Sequence, residues 1–228
     1  MSGTVGRIRW ASSCLIVALV ATSCAGAATT PEARAVSLET TACGNASRTT
    51  GAGVIVEDGW ILASAHVVIG AGSVEVTGPD GREFADVIVL DVEGDLALLS
   101  VPSAQASPIE LAKAATGDVI DFAGGGPSDA FTASVLRPLE VRIEAVRSQE
   151  RISRFGYEVD VRVELGDSGG GGFDDEGRLV GIIFGRTDQD EERSFIVGDR
   201  QISAVLASDR SGLWSCHPTQ NRVTSDVP

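Results

Sequence analysis

The chain reads as an all-β protein, and three observations carry that reading. Eleven short apolar runs recur at near-even spacing between residues 53 and 198, and many of them alternate apolar and polar residues at period two. The breaks between them are rich in Asp, Gly and Pro, as at Asp58-Gly59, Pro79-Asp80-Gly81 and Glu176-Gly177. Strands that follow one another in this way favour a sandwich or a barrel over alternating β-α-β winding.

Taken in order, the N-terminus carries Arg7 and Arg9, then an apolar run from Trp10 to Thr22, then Ser23-Cys24-Ala25-Gly26. The run is shorter than the roughly 20 residues a helix needs to cross a bilayer, and small residues follow it. Residues 1–23 are therefore expected to be an export signal. Ala21, Thr22 and Ser23 before Cys24 resemble a bacterial lipobox, whose cysteine becomes the lipidated first residue; plain cleavage after a small residue is the alternative, because Ala21 stands where a larger aliphatic is usual. Residues 24–42 are small, polar and aperiodic, and are expected to form a flexible tether.

The folded region is expected over 43–208. Strands are predicted at 53–56, 60–65, 73–78, 84–91, 96–101, 118–123, 131–136, 141–146, 157–164, 179–185 and 194–198. One helix is predicted at 199–207, with Asp199 as its cap and Ile202, Val205 and Leu206 on one face. Residues 209–228 turn polar again and form a tail in which Trp214 and Cys216 stand out.

Cys14 and Cys24 belong to the signal and its end, which leaves Cys43 and Cys216 as the pair in the folded part. Export would place them in an oxidising compartment, so a disulfide closing nearly the whole domain is expected. On the chain-entropy model so long a loop contributes about 4 to 5 kcal/mol. No CxxC or HxxxH spacing occurs, and no metal site is expected. Net charge is −14, falling to −16 without Arg7 and Arg9, and Lys113 is the sole lysine. A surface that tracks phosphates needs a basic patch, so nucleic acid is excluded as a partner.

The chemistry concentrates in three motifs: Ala-Ser-Ala-His-Val-Val at 63–68, Gly-Asp-Leu-Ala-Leu-Leu-Ser-Val at 94–101, and Gly-Asp-Ser-Gly-Gly at 166–170. His66, Asp95 and Ser168 follow one another at intervals of 29 and 73 residues. A serine hydroxyl is a weak nucleophile until a neighbouring base takes its proton, and an imidazole titrating near neutrality can take that proton and return it. Asp95 would hold the other ring nitrogen and fix the tautomer. Gly166 lets the chain bend so that the N–H groups of Gly166 and Ser168 both face an oxyanion, and losing one such donor typically costs about 100- to 1,000-fold in turnover. Residues 166–170 also fit G-x-S-x-G, whose order Ser, Asp, His would use His217. That motif needs a helix after the serine, and 170–178 is glycine-rich instead.

At these motifs, followed by Leu-Val-Gly-Ile-Ile-Phe-Gly at 179–185, the chain resembles the trypsin-like, chymotrypsin-fold serine proteases over roughly residues 43–208. Within that group it is most similar to actinobacterial envelope proteases that include acid-resistance periplasmic enzymes. The resemblance implies two six-stranded antiparallel β-barrels, one over about 50–113 and one over about 114–198, with a short C-terminal helix. It implies a serine endopeptidase acting on proteins or peptides without metal or organic cofactor; a monomer is expected, with membrane contact only through the lipid that the N-terminus suggests. It also assigns a specificity pocket to Arg162, Phe184 and Gly185, where Arg162 would favour an acidic residue before the scissile bond if it faced inward. The chain departs from the family in lacking a cleavable IVGG-type start, so Asp167 needs another partner. It departs again at Gly171-Gly172, where Pro and an aliphatic residue are usual; added flexibility there is expected to loosen the oxyanion loop. A catalytically weak binding or sensor module on the same fold is the alternative function.

Overall fold

The computed structural model describes residues 30–79, 81–125, 130–144, 151–186 and 192–214. The expected signal at 1–23, Cys24, Cys216 and His217 lie outside the described residues. A short helix α1 (Pro31–Arg34) leads into β1 (Ala35–Ala42), β2 (Arg48–Glu57) and β3 (Trp60–Ser64). The one-turn helix α2 (Ala65–Val68) follows, then β4 (Ala71–Gly78), β5 (Gly81–Asp91) and β6 (Leu96–Ser100). These six strands close into a barrel in the order β1-β2-β3-β6-β5-β4. The strands β7 (Val119–Phe122), β8 (Phe131–Glu144), β9 (Arg151–Val159), β10 (Gly171–Phe173), β11 (Leu179–Arg186) and β12 (Ser194–Gly198) close a second, in the order β10-β11-β12-β9-β8-β7. Helix α3 (Asp199–Leu206) ends the described fold. The all-β class and the two six-stranded antiparallel barrels are thus as expected.

Period-two geometry explains why β3 and β6 are continuous apolar runs. Ile61 and Ala63 of β3, with Ala97 and Leu99 of β6, face the interior of barrel one beside Val36, Leu38, Val74 and Val76. Their alternates Leu62, Leu96 and Leu98 face the other way, into a core shared with Phe173, Leu179, Ile182 and Val197 of barrel two. Both faces are buried, so no polar residue interrupts the run. Full burial of a leucine such as Leu62 or Leu98 stabilises by roughly 1.5–3 kcal/mol, and this shared layer fixes one barrel against the other. Ile202 and Val205 of α3 close its edge. The connection between barrels also joins both, since Ile109 N–H donates to Val56 O and Leu179 N–H to Glu110 O, each at 2.8 Å.

Four local expectations change. The tether expected at 24–42 contains, from Pro31, α1 and all of β1. Val36 and Leu38 alternate there and are 2% exposed, and β1 pairs with both β2 and β4. Arg34, 4% exposed, anchors this start by donating to Ile55 O at 2.9 Å and to Ser107 O and Oγ at 3.0 Å each. The second change is that the run at 131–136 and the described part of the run at 141–146, as far as Glu144, belong to the single strand β8, which passes through Pro138 and pairs with β9 from Val135 onward. The strand expected at 157–164 begins earlier and ends at Val159, so Arg162 lies beyond it, outside any strand alternation. Lastly, Gly198 rather than Asp199 occupies the cap of α3; Asp199 sits in the first turn, where a carboxylate favours the positive helix end.

The glycines after Ser168 are not a slack loop. Gly171-Gly172-Phe173 is β10, paired with β11 on one side and β7 on the other. A Cβ at Gly171 would lie 2.6 Å from Val54 Cγ2, and one at Gly172 would lie 2.7 Å from both Ile120 Cγ2 and Phe122 Cε1. Neighbouring large side chains fill the volume that bulkier residues would take in the sheet, so the expected loosening does not arise from this segment.

Candidate active site

Asp95 ends the turn 92–95 that joins β5 to β6, in a left-handed conformation with φ +59°. Among the described residues no other non-glycine has positive φ. Asp tolerates this region better than most residues, yet non-glycine strain of this kind costs of order 1–3 kcal/mol and concentrates at functional sites. The turn is braced internally by Gly94 N–H donating to Asp91 Oδ1 at 2.8 Å.

From that position Asp95 holds α2 three times. Its carbonyl accepts Ala65 N–H at 3.1 Å, its Oδ1 accepts the His66 backbone N–H at 3.0 Å, and its Oδ2 lies 2.8 Å from His66 Nδ1. An ionised carboxylate only accepts, so Nδ1 carries the ring proton and Nε2 is left as the acceptor. Asp95 is buried while the His66 side chain is 44% exposed, which leaves the ring open to an incoming molecule. The other side of α2 is held by Thr40, whose hydroxyl donates to Val67 O at 3.2 Å.

Ser168 lies on the loop 165–170, and its carbonyl and the side chain of Val67 in α2 both border Gly51 of β2. Its carbonyl accepts Ala52 N–H of β2 at 2.8 Å, and Gly169 N–H donates to Ile183 O of β11 at 2.8 Å. The same Ile183 carbonyl accepts the hydroxyl of Ser64 at 2.9 Å, two residues before His66. One backbone oxygen thus ties the histidine segment to the serine segment. Gly169 has φ +96°, and a Cβ there would lie 2.0 Å from Ala52 O, so no larger residue fits this approach. No hydrogen bond joins Ser168 Oγ to the His66 ring; such bonds are often long in a free site and tighten when substrate binds.

The loop uses its backbone donors unevenly. Asp167 N–H donates to Glu164 O at 3.1 Å and Gly170 N–H to Asp167 O at 2.9 Å. Gly166, at φ +107°, and Ser168 have N–H groups with no acceptor among the described residues. Backbone donors shielded from water are rarely left unpaired, and two in alternate peptides of one tight loop suit a developing negative charge. The partner that Asp167 needs is local: its buried carboxylate accepts Glu164 N–H at 2.7 Å.

Of the residues assigned to specificity, Phe184 and Gly185 lie on β11 and Arg162 on the segment between β9 and Ser168. Arg162 is exposed, with Nε 3.1 Å from Glu164 Oε1. Phe184 stacks on Phe195 at 5.9 Å, with the Arg154 guanidinium 5.7 Å from its centroid, while Gly185 pairs with Phe195 in the ladder. A cavity of about 270 Å³ opens beside Gly166, walled by Leu165, Thr50, Gly51, Glu39 and Glu75. Cys43 follows β1, its N–H donating to Gly70 O at 3.0 Å. Sequence reasoning missed Ser64 and Arg154; a serine inside an otherwise apolar strand end was the available signal for the first, and no local signal marks the second. Among the described residues no group of His, Cys, Asp and Glu is arranged to hold a metal ion, and no helix is long and apolar enough to cross a membrane.

The family model described as a trypsin-like peptidase domain matches residues 51–182, a span that contains His66, Asp95 and Ser168. The serine protease Rv3671c of Mycobacterium tuberculosis is 32% identical over 170 residues, covering 69% of this chain and 41% of that protein. The chloroplastic Protease Do-like 2 of Arabidopsis thaliana is 29% identical over 182 residues, covering 74% of this chain and 30% of that protein. This chain thus spans about two fifths or less of the length of these relatives. Among solved structures, the active form of the M. tuberculosis Rv3671c protease superposes with a TM-score of 0.71 at 28% identity, covering 82% of this chain and 86% of that one. The HtrA-type protease AlgW with tripeptide shares the fold, with a TM-score of 0.63 at 22% identity over 77% of this chain and 59% of that one.

Proposed function

This chain belongs to the trypsin-like peptidase domain family, and from that premise we propose that it is an exported serine endopeptidase. His66 is the general base, Asp95 orients it, Ser168 is the nucleophile, and the N–H groups of Gly166 and Ser168 form the oxyanion hole. The observation that carries this reading is the pairing of the Asp95 carboxylate with both the backbone N–H and Nδ1 of His66, at 3.0 and 2.8 Å. In the neutral ring it leaves Nε2 as the acceptor for the serine proton.

In the first half-reaction the Ser168 hydroxyl attacks the peptide carbonyl as its proton passes to Nε2. The carbonyl oxygen becomes an oxyanion, and the two unpaired N–H groups receive it in place of water. Collapse expels the amine, which takes the proton from His66 and leaves an acyl-serine; a water molecule activated by the same imidazole then releases the acid. The buried Asp95 stabilises the transient imidazolium without being protonated. The cavity beside Gly166 is suited to residues of the substrate that follow the scissile bond. Proteins or peptides are the substrate class.

Residues 1–23 direct export, and Cys24 carries a lipid anchor on the outer face of the cell membrane. Cys43 and Cys216 form a disulfide that fastens the C-terminal tail. Supporting this, the tail reaches barrel one, the barrel of Cys43, at Trp214, whose N–H donates to Val87 O at 2.8 Å. A binding or sensor module remains as a second reading because Ser168 Oγ has no hydrogen bond to His66. Covalent labelling by a fluorophosphonate separates the two. The protease reading expects labelling of the native protein and none of Ser168→Ala; an unlabelled native protein that still binds peptides would overturn it.

A further inference from the structure

Arg154 sits on β9 in barrel two, opposite Val141 of β8 in the ladder, yet its guanidinium reaches barrel one. Its Nε donates to Glu93 O at 2.6 Å and its Nη2 to Val92 O at 3.1 Å. The same group lies over the ring of Phe184 in β11, one residue after the carbonyl of Ile183 that holds both Ser64 and Gly169. Val92 and Glu93 open the turn whose last residue is Asp95, at φ +59°. A planar guanidinium with fixed donors can clamp two successive carbonyls, which a single point charge does less well. The turn's internal bond from Gly94 braces its own shape, whereas Arg154 is what relates that shape to the opposite barrel.

We infer that Arg154 is a positioning residue for Asp95. By pinning the carbonyls of Val92 and Glu93 to barrel two, it sets the height of the carboxylate and so aims the His66 ring across the cleft at Ser168. Arg154 touches neither the reacting atoms nor the imidazole; it acts through the turn. The inference rests on the triad proposed above.

The test is the rate of fluorophosphonate labelling and the peptidase kcat and KM of the full chain. The variants are Arg154→Ala, Arg154→Lys, Asp95→Ala and the Arg154→Ala/Asp95→Ala pair. A misplacement of about an ångström costs roughly 100-fold in rate, so Arg154→Ala is expected to lower labelling and kcat roughly 10- to 100-fold with KM nearly unchanged. Arg154→Lys, which keeps a charged donor, recovers part of the loss. In the Asp95→Ala background the same Arg154→Ala change has little further effect, because the residue it acts through is gone. If Arg154→Ala does not fold, Arg154→Gln is read by the same criteria. Fully additive losses in the double variant, or unchanged labelling of Arg154→Ala beside a labelled wild type, overturn the inference alone. A wild type that does not label removes the triad and the inference with it.

Discussion

Replacing Gly172 by alanine puts the packing of β10 to a direct test. A Cβ at this position would lie 2.7 Å from Ile120 Cγ2, 2.7 Å from Phe122 Cε1 and 3.1 Å from Phe122 Cζ. Carbon atoms in good contact stand about 3.5–4.0 Å apart, so the neighbours must retreat by close to an ångström. They have little room to do so. Ile120 and Phe122 are 0% and 1% exposed, and Phe122 is stacked on Phe131 with centroids 4.9 Å apart. Overpacking a closed core in this way typically costs about 1–3 kcal/mol. Alanine also reduces the freedom of the unfolded chain, which returns about 0.4–1 kcal/mol. The net loss then centres on about 1.3 kcal/mol, which for a domain of this size lowers Tm by roughly 3–5 °C. Thermal and urea denaturation followed by circular dichroism measure it. An unchanged or higher Tm would mean that β10 has slack, and the argument that bulky neighbours fill the glycine positions would be wrong.

The other predictions concern the site and its supports. Asp95→Asn should reduce kcat by about 10⁴-fold while leaving the fold intact, because the ring loses its acceptor at Nδ1; peptidase kinetics check this. Ser64→Ala removes the 2.9 Å bond to Ile183 O that ties the two catalytic segments, and should destabilise by about 1 kcal/mol in urea denaturation. The Glu158 carboxyl, 3% exposed, is held below its usual pKa by the hydrogen bond from Arg137, with Arg193 assisting against burial. Its folded pKa is lowered, so its stabilisation is complete above the ordinary carboxylate value and is lost as pH falls through the lowered one. Glu158→Gln should therefore lower Tm at neutral pH and flatten the acid side of a Tm-against-pH curve; a parallel curve would refute the assignment.

The proposed catalytic residues could be picked out in the chain because each lies in a short local motif. Ala-Ser-Ala-His, Gly-Asp-Leu-Ala and Gly-Asp-Ser-Gly-Gly announce a base, its orienting acid and a nucleophile by residue type alone, and period-two runs announce strands. What failed was whatever depends on partners distant in sequence. Glycines have no side chains to display a period, so β10 is a strand only because β7 and β11 pair with it from both sides. Glu39 and the threonines around it mask the alternation of Val36 and Leu38, and closure of barrel one against β2 and β4 makes β1. The continuous run Leu96–Leu99 says that a strand is buried, but not that alternate residues serve two different cores.

The amino-acid order by itself determined which groups could do chemistry at this site. The tertiary structure decided how they are aimed. Ser64 meets Ile183 across 119 residues, and Arg154 meets the turn before Asp95 across about 60. Those contacts exist only once two barrels have packed through a shared apolar layer. Chemical reactivity is a property of a side chain, whereas orientation is a property of everything packed behind it.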